Sequence, residues 1–280
     1  MQNSYKSILF KHNLVLKKCF GQNFIFDEEY LDKLVEKAGV SNLDTVVEIG
    51  CGAGTLTRSI AKKAKRVIGY EIDTRLKPIL DDVCMEHKNV SINYLDIMKE
   101  NISALEKRIG GEYIVVANLP YYITTPIIMN FLENAKNITR LVIMVQKEVA
   151  ERLSATPKSK DYGAITVAIN LRGSAEIIMH AGREMFTPPP KVDSAVVRID
   201  VDAKKFESAN LKAVRNLVRC AFISRRKTLV NNLVNSLKVP RERAQNALEL
   251  IGVKEDARGE TLSAEEFVKL SEVLGEYLNG

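Results

Sequence analysis

The 280-residue chain combines 46% hydrophobic with 27% charged residues, a balance that allows a sizeable core divided into two unequal domains. No stretch of about 18 apolar residues runs without a charge, and no secretory signal is recognisable, so we expect a cytoplasmic protein without a membrane span. The four cysteines and three histidines are scattered along the chain. This spacing predicts neither a disulfide framework nor a metal site.

The net charge of +6 is unevenly distributed. Residues 1–26 contain no acid but several lysines, among them Lys17 and Lys18, and residues 204–243 are dominated by Lys and Arg. The stretch from Ala244 onward is acidic. Two basic segments around a neutral middle favour a polyanion as partner, although an ordinary solvated helix face would give the same charge pattern.

Through the first half of the chain, short apolar runs alternate with helical patterns. The Val- and Ile-rich composition of these runs is typical of a parallel sheet covered on both faces. A helix is expected from Thr55 to Ala64, and strands are expected over residues 45–49, 66–70, 90–95, 113–117 and 141–145.

After Gly163 the pattern changes. Two longer strand-like runs, Ala164 to Leu171 and Ala195 to Val201, flank the segment from Phe186 to Pro190, whose three prolines predict a stiff loop. From about Asn210 the apolar spacing becomes helical. We therefore predict an α/β domain with a basic N-terminal arm over residues 1–203 and a small helical domain over residues 204–280.

Four successive strands are each followed by, or end on, a residue able to contact a ligand, namely Gly50, Glu71, Asp96 and Asn118. Because ligands of open α/β sheets bind outside the carboxyl ends of the strands, we expect these residues to converge on one crevice.

A glycine turn, Gly50-Cys51-Gly52-Ala53-Gly54, joins the first of these strands to a helix, and the missing side chains of Gly50 and Gly52 let a ligand approach the backbone. About twenty residues later, Glu71 can accept hydrogen bonds from both hydroxyls of a ribose. The turn lacks the spacing of the NAD fingerprint, which favours a nucleoside without a pyrophosphate. S-adenosylmethionine fits this description, with Asp96 accepting from its adenine amine.

The run Asn118-Leu119-Pro120-Tyr121 matches the motif of amino-methyltransferases. The lone pair of an adenine amine is delocalised into the ring, so the nitrogen attacks only when acceptors hold both of its hydrogens. The Asn118 side chain and the Leu119 carbonyl can supply these acceptors, and Pro120 restricts the backbone before it. Tyr121 is expected to stack on the flipped base.

Taken in order, these motifs resemble the ribosomal RNA adenine dimethyltransferase family from about Lys17 to Leu229. The resemblance rests on the segments Phe20 to Ile25, Gly50 to Gly54, Asn118 to Tyr121, Gln146 to Leu153, Phe186 to Ser194 and Arg225 to Leu229. It implies an α/β fold with a Rossmann-like methyltransferase sheet and a small C-terminal helical domain. Cys51 stands where proline is frequent in the family, and Ile25 where leucine is frequent.

The resemblance also implies that Asn23 and Ile25 enclose the cofactor and that Phe186 stacks on the target base. It implies that the cofactor is contacted by Gly50, Glu71, Asp96 and Asn118, and that S-adenosylhomocysteine is the product. It implies two adjacent adenosines near the 3′ end of 16S-type ribosomal RNA, each methylated twice, within a pre-ribosomal particle. A monomer is expected.

Basic residues beyond the crevice are predicted to contact RNA phosphates, together with Lys17 and Lys18. Arg215, Arg219, Phe222 and Arg226 recur at helical spacing and predict one basic and aromatic helix face. The predicted substrate-binding set of this region is Arg219, Arg225, Arg226 and Lys227.

Two other functions remain open at this stage. The first is the related large-subunit adenine methyltransferase that confers macrolide resistance, against which Leu119 and the long helical tail argue. The second is a non-catalytic nucleic-acid-binding assembly factor, against which the intact Asn118 to Tyr121 run argues.

Overall fold

The computed structural model describes residues 23–278. The N-terminal arm, with Lys17 and Lys18, lies outside the described residues. In this range no helix combines the length and the apolar character that crossing a lipid bilayer requires.

A seven-stranded sheet forms the centre of the fold. Its strands are β2 (Thr45–Ile49), β3 (Arg66–Tyr70), β4 (Val90–Asn93), β5 (Tyr113–Asn118), β6 (Ile138–Gln146), β7 (Gly173–Ala181) and β9 (Ser194–Val201). Across the sheet they follow the order β4-β3-β2-β5-β6-β9-β7. The first five of these strands in the chain are mutually parallel, as predicted, whereas β9 runs antiparallel to β6. The fold class predicted from the sequence is therefore confirmed.

The strand order reverses at β2. From β2 the chain proceeds outward through β3 to β4, and it then returns to the other side of β2 to form β5 and β6. Such a reversal leaves a crevice at the carboxyl ends of β2 and β5, since the connecting segments depart in opposite directions.

Helices cover the sheet and bury its apolar side chains. Asp27 and Asn101 begin two of them by accepting hydrogen bonds from backbone N–H groups of the first turn. Val46 and Val67 of the sheet pack with Leu34 and Ile60 of the helices in one buried cluster. The helices are α1 (Glu28–Lys37), α2 (Thr55–Ala61), α3 (Lys77–Glu86), α4 (Ile102–Ile109), α5 (Tyr121–Asn134) and α6 (Lys147–Leu153).

A second, two-stranded sheet lies beside the main one. It pairs β1 (Phe24–Ile25) with β8 (Phe186–Thr187), so that Ile25 and Phe186 lie opposite each other. The loop predicted over residues 186–190 therefore begins two residues later than expected, because Phe186 and Thr187 form backbone pairs before the prolines.

The strand predicted from Ala164 to Leu171 is wrong, because this segment forms helix α7 (Ala164–Asn170). Its β-branched residues suit a strand, but tertiary contacts override that preference. The Thr166 hydroxyl accepts a hydrogen bond from the N–H of Gly163 at 3.2 Å and donates to the carbonyl of Arg152 at 2.7 Å. Val167 is buried among the C-terminal helices.

The chain divides into two compact units, and the division differs from the single boundary predicted after residue 203. The first unit runs to Ala150 and includes Glu176–Val201, and the second contains Glu151–Ala175 and the chain from Asp202. The segment Glu151–Ala175 belongs to the second unit because its side chains complete that core. For example, Tyr162 is fully buried and donates a hydrogen bond to the carbonyl of Leu262 at 3.0 Å.

The second unit is helical, as predicted for the C-terminal part of the chain. Val214, Leu217, Leu233 and Phe267 form the centre of its core, each fully buried. Besides α7, its helices are α8 (Leu211–Phe222), α9 (Leu229–Leu237), α10 (Arg241–Leu250), α11 (Ala264–Val273) and α12 (Gly275–Leu278).

Candidate active site

A cavity of about 460 Å³ lies at the carboxyl ends of the parallel strands, and its lining residues belong to the first unit. This volume is typical of sites for small molecules and cofactors. The sequence-predicted residues that line it are Asn23, Ile25, Gly50, Gly52, Glu71, Asp96, Asn118, Leu119, Pro120, Tyr121 and Phe186. The structure thus brings these predicted residues together in one place.

The glycine turn after β2 forms the floor of this cavity. Gly50 and Gly52 have φ values of +79° and +56°, which L side chains rarely adopt. A Cβ on Gly50 would lie 2.9 Å from Leu119 Cδ2, and one on Gly52 would lie 2.9 Å from Cε1 of Phe24. The turn can therefore pack against Leu119 and Phe24 as it does only with glycine at both positions.

Glu71 is held rigidly at the end of β3. The backbone N–H groups of Gly52 and Asp73 each donate to one of its carboxylate oxygens at 2.8 Å. Burial raises the pKa of Glu71, and these hydrogen bonds offset part of the rise. Each carboxylate oxygen keeps a second lone pair, so the group is positioned to accept hydroxyl hydrogens from a ligand.

Asp96 reaches the cavity from a turn and not from a strand end. Strand β4 ends at Asn93, two residues before the predicted end, and Asp96 caps the short 3₁₀ helix Ile97–Lys99. Its Oδ1 accepts from the N–H of Met98 at 2.9 Å. The capping contact orients the carboxylate toward the cavity. The sequence also predicted Asp96 at the cavity, but as the residue that directly follows a longer strand β4.

Asn118 is the last residue of β5 and lines the cavity. Its Nδ2 donates to the carbonyl of Asn23 at 3.4 Å. This contact orients the amide, and within residues 23–278 no group donates to Oδ1. The side-chain oxygen therefore remains available as an acceptor.

The next three residues continue from β5 into a helix. Leu119 is 8% exposed, and Pro120 has φ −53° and ψ 132°, an extended geometry that precedes the first residue of α5. That first residue is Tyr121, whose hydroxyl shares a hydrogen bond of 2.8 Å with the hydroxyl of Ser194. Burial raises the pKa of the Tyr121 phenol, so it stays protonated at neutral pH.

Sequence reasoning missed several residues that shape the cavity. Ser194, the first residue of β9, anchors Tyr121 across 73 positions of the chain. Phe24 packs over the glycine turn, and Tyr122 lines the cavity with 76% of its surface exposed. Ser194 lies in the family-like segment Phe186 to Ser194, which was a signal for that residue. No local pattern indicated that its hydroxyl would pair with that of Tyr121.

Phe186 lines the cavity from β8 but is only 4% exposed. Its backbone pairs with Ile25, which is 1% exposed. Both side chains therefore contribute mainly to the wall of the cavity in this structure.

The predicted phosphate-binding residues lie in the second unit. Arg219 is exposed on α8, and Arg226 and Lys227 are exposed in the turn after it. Arg225, by contrast, pairs with Glu260 at 3.0 Å and donates to the carbonyls of Lys160 and Tyr162 at 3.0 and 2.9 Å. Its guanidinium therefore stabilises the fold of the unit.

The single helix face predicted from Arg215 to Arg226 is wrong in its second half. Helix α8 ends at Phe222, so Arg226 is not part of it. The Phe222 ring is half-buried and packs against the rings of Tyr162 and Phe267, at centroid distances of 6.4 and 6.3 Å. The aromatic ring is used in the core because an apolar group of that size gains more from burial than from exposure.

Within residues 23–278 no group of three or more His, Cys, Asp or Glu side chains is arranged to hold a metal ion.

Comparison with known proteins gives consistent matches. The family model described as ribosomal RNA adenine dimethylase matches residues 13–276. Proteins named ribosomal RNA small subunit methyltransferase A are similar to this chain. That of Geobacillus thermodenitrificans is 43% identical over 96% of this chain and 94% of its own, and that of Bacillus licheniformis is 42% identical over 98% and 96%.

Two solved structures share the fold over most of the chain. A dimethyladenosine transferase from Plasmodium falciparum is 27% identical with a TM-score of 0.79, covering 91% of this chain and 98% of its own. The 23S rRNA methyltransferase ErmE is 28% identical with a TM-score of 0.70, covering 90% and 100%.

Proposed function

Because the chain belongs to the ribosomal RNA adenine dimethylase family, we propose that its cavity binds S-adenosylmethionine beside a flipped adenine. The enzyme dimethylates the N6 amines of two adjacent adenosines near the 3′ end of small-subunit ribosomal RNA, and so contributes to small-subunit assembly. The observation that carries this proposal is the convergence of Asn118, Tyr121, Gly52 and Glu71 on one cavity.

The residues of the cavity fit the cofactor. Gly50 and Gly52 line the cavity with backbone atoms, and the fixed carboxylate of Glu71 suits ribose hydroxyls. Asp96 offers an acceptor for an adenine amine. When bound, S-adenosylmethionine supplies an electrophilic methyl group on its sulfonium sulfur.

Asn118 and Leu119 activate the amine of the target adenine. The Asn118 Oδ1 and the Leu119 carbonyl accept its two hydrogens, which turns the nitrogen lone pair toward the methyl group. With S-adenosylmethionine bound, the nitrogen so oriented would take the methyl group from the sulfonium sulfur, S-adenosylhomocysteine would be released, and the amine proton would leave to solvent. Catalysis consists of positioning and polarisation. Tyr121 stays protonated and serves as a stacking platform held by Ser194.

Small-subunit RNA is favoured over large-subunit RNA as the substrate. The relatives at 43% and 42% identity carry small-subunit names, whereas the large-subunit enzyme ErmE is 28% identical. A non-catalytic assembly factor would not need the acceptor arrangement around Asn118. We further propose that the enzyme acts as a monomer on a pre-ribosomal particle in the cytoplasm.

Methyl transfer from labelled S-adenosylmethionine to unmethylated small or large ribosomal subunits tests the proposal. We expect N6,N6-dimethyladenosine in the small subunit only. Asn118→Ala should lower kcat by about a hundredfold or more, because one of two acceptors is lost. Asn134→Ala changes an exposed asparagine at the far end of α5 and is the matched control. Full activity of Asn118→Ala would refute the proposed mechanism, and label in the large subunit alone would refute the substrate.

A further inference from the structure

Three apolar side chains of the cavity wall are largely exposed. Ile72, Leu95 and Tyr122 line the cavity with 56%, 41% and 76% of their surface accessible. Exposed apolar groups gathered at a binding site are typically covered when the ligand binds. Because all three line the same cavity, we expect a bound ligand to cover them.

The strand order indicates which ligand covers each of these three side chains. Ile72 directly follows Glu71 beyond β3, and Leu95 directly precedes Asp96 beyond β4. Both lie on the side of β2 that carries Glu71 and Asp96, the two carboxylates proposed to accept hydrogen bonds from the cofactor. Tyr122 follows β5, which is on the opposite side of β2 in the order β4-β3-β2-β5. The cofactor thus accounts for Ile72 and Leu95, and Tyr122 remains for the nucleic acid.

Tyr121 and Tyr122 are neighbours at the start of α5 but face different surroundings. Consecutive helix residues project about 100° apart, since a turn contains 3.6 residues. Tyr121 is half-buried and tied to Ser194, whereas within residues 23–278 no group hydrogen-bonds the hydroxyl of Tyr122. The exposed ring of Tyr122 therefore remains accessible to RNA at the opening of the cavity.

We propose that Tyr122 stacks on the base adjacent to the adenine that occupies the cavity. This inference rests on the proposed function, because it concerns the same RNA. Flipping one adenine into the cavity separates it from its neighbour and leaves a face of that neighbour uncovered. The two target adenosines are adjacent, so when one of them occupies the cavity the other is one of the bases that flipping uncovers. An exposed tyrosine ring beside Tyr121 provides the replacement stack.

The test compares Tyr122→Ala and Tyr122→Phe with wild type on unmethylated small subunits. Tyr122→Ala should raise KM for the subunit on the order of tenfold, which is typical of losing one base–aromatic stack. Its affinity for S-adenosylmethionine and its thermal unfolding temperature should stay unchanged, and Tyr122→Phe should behave as wild type. Leu43→Ala, at an 81% exposed position before β2, is the matched control.

Subunits with uridine in place of one target adenosine complete the test. Wild type should show a severalfold higher KM for methylating the remaining adenosine, because uridine stacks less well, and Tyr122→Ala should be insensitive to this change. The proposal is overturned if Tyr122→Ala keeps the wild-type KM, if it loses cofactor affinity instead, or if the two changes act additively. Failure of wild type to methylate any small subunit would refute the proposed function itself, and this inference with it.

Discussion

Glu48 is a buried carboxyl group that should couple stability to pH. It lies in β2 between Gly69 of β3 and Val116 of β5, is 0% exposed, and has no hydrogen-bond partner for either oxygen within residues 23–278. Burial raises its pKa to about 8, and the nearby Thr57 hydroxyl and Cys51 thiol offset part of the rise without reaching hydrogen-bond geometry.

The sign of the pH dependence follows from the direction of this pKa shift. The folded protein keeps a proton on Glu48 that the unfolded chain releases above its ordinary pKa of 4.5. The contribution to stability is complete below pH 4.5 and is lost as the pH rises through about 8. At 1.36 kcal/mol for each unit, the free energy of unfolding should fall by about 2 kcal/mol between pH 6 and pH 8.

Glu48→Gln replaces the protonated carboxyl group by a neutral amide of similar shape. We expect its free energy of unfolding, measured by denaturant titration at pH 6, 7, 8 and 9, to lack the decline seen in wild type. Glu112→Gln, at an exposed position, should follow the wild-type curve. Parallel pH profiles for wild type and Glu48→Gln would show that Glu48 is not protonated in the folded state and would refute the reasoning.

Two further pairs of variants test the turn and the second unit. Gly54 and Gly110 have φ values of +73° and +77°, but only at Gly54 would a methyl group meet another side chain, at 2.6 Å from a valine methyl of α3. Gly110→Ala should therefore lower the free energy of unfolding by about 1 kcal/mol, and Gly54→Ala should lower it by about 3 kcal/mol or more. Denaturant titration measures both changes, and equal losses would contradict the predicted steric conflict. Arg225→Ala breaks the exposed ion pair with Glu260 and two carbonyl hydrogen bonds, and should lower the same free energy by about 2 kcal/mol. Arg226→Ala should leave stability within about 0.5 kcal/mol of wild type and reduce the salt dependence of RNA binding by about one phosphate contact, measured by titration at several salt concentrations; the reverse pattern would disprove this division of roles.

Much of the first unit could be predicted from local patterns. Strands β2, β3 and β5 are buried along nearly their whole length, so they appear in the sequence as runs rich in Val and Ile. The glycines after β2 mark a turn whose backbone conformation other residues rarely adopt. The segment Ala164 to Leu171 shows the limit of this approach. Its apolar, β-branched composition is equally compatible with a strand and with a buried helix. The segment forms a helix because its apolar side chains pack into the core of the second unit.

The sequence by itself determined which residues stand at the ends of the strands, and hence that Gly50, Glu71 and Asn118 meet at one edge of the sheet. Only the tertiary structure decided how these groups are oriented. The amide of Asn118 is turned by a carbonyl 95 positions away, the motif tyrosine is held from β9, and Arg225 is tied into its own unit. Such contacts join residues distant in the chain, whereas sequence periodicity reports only on neighbours within a strand or a helical turn.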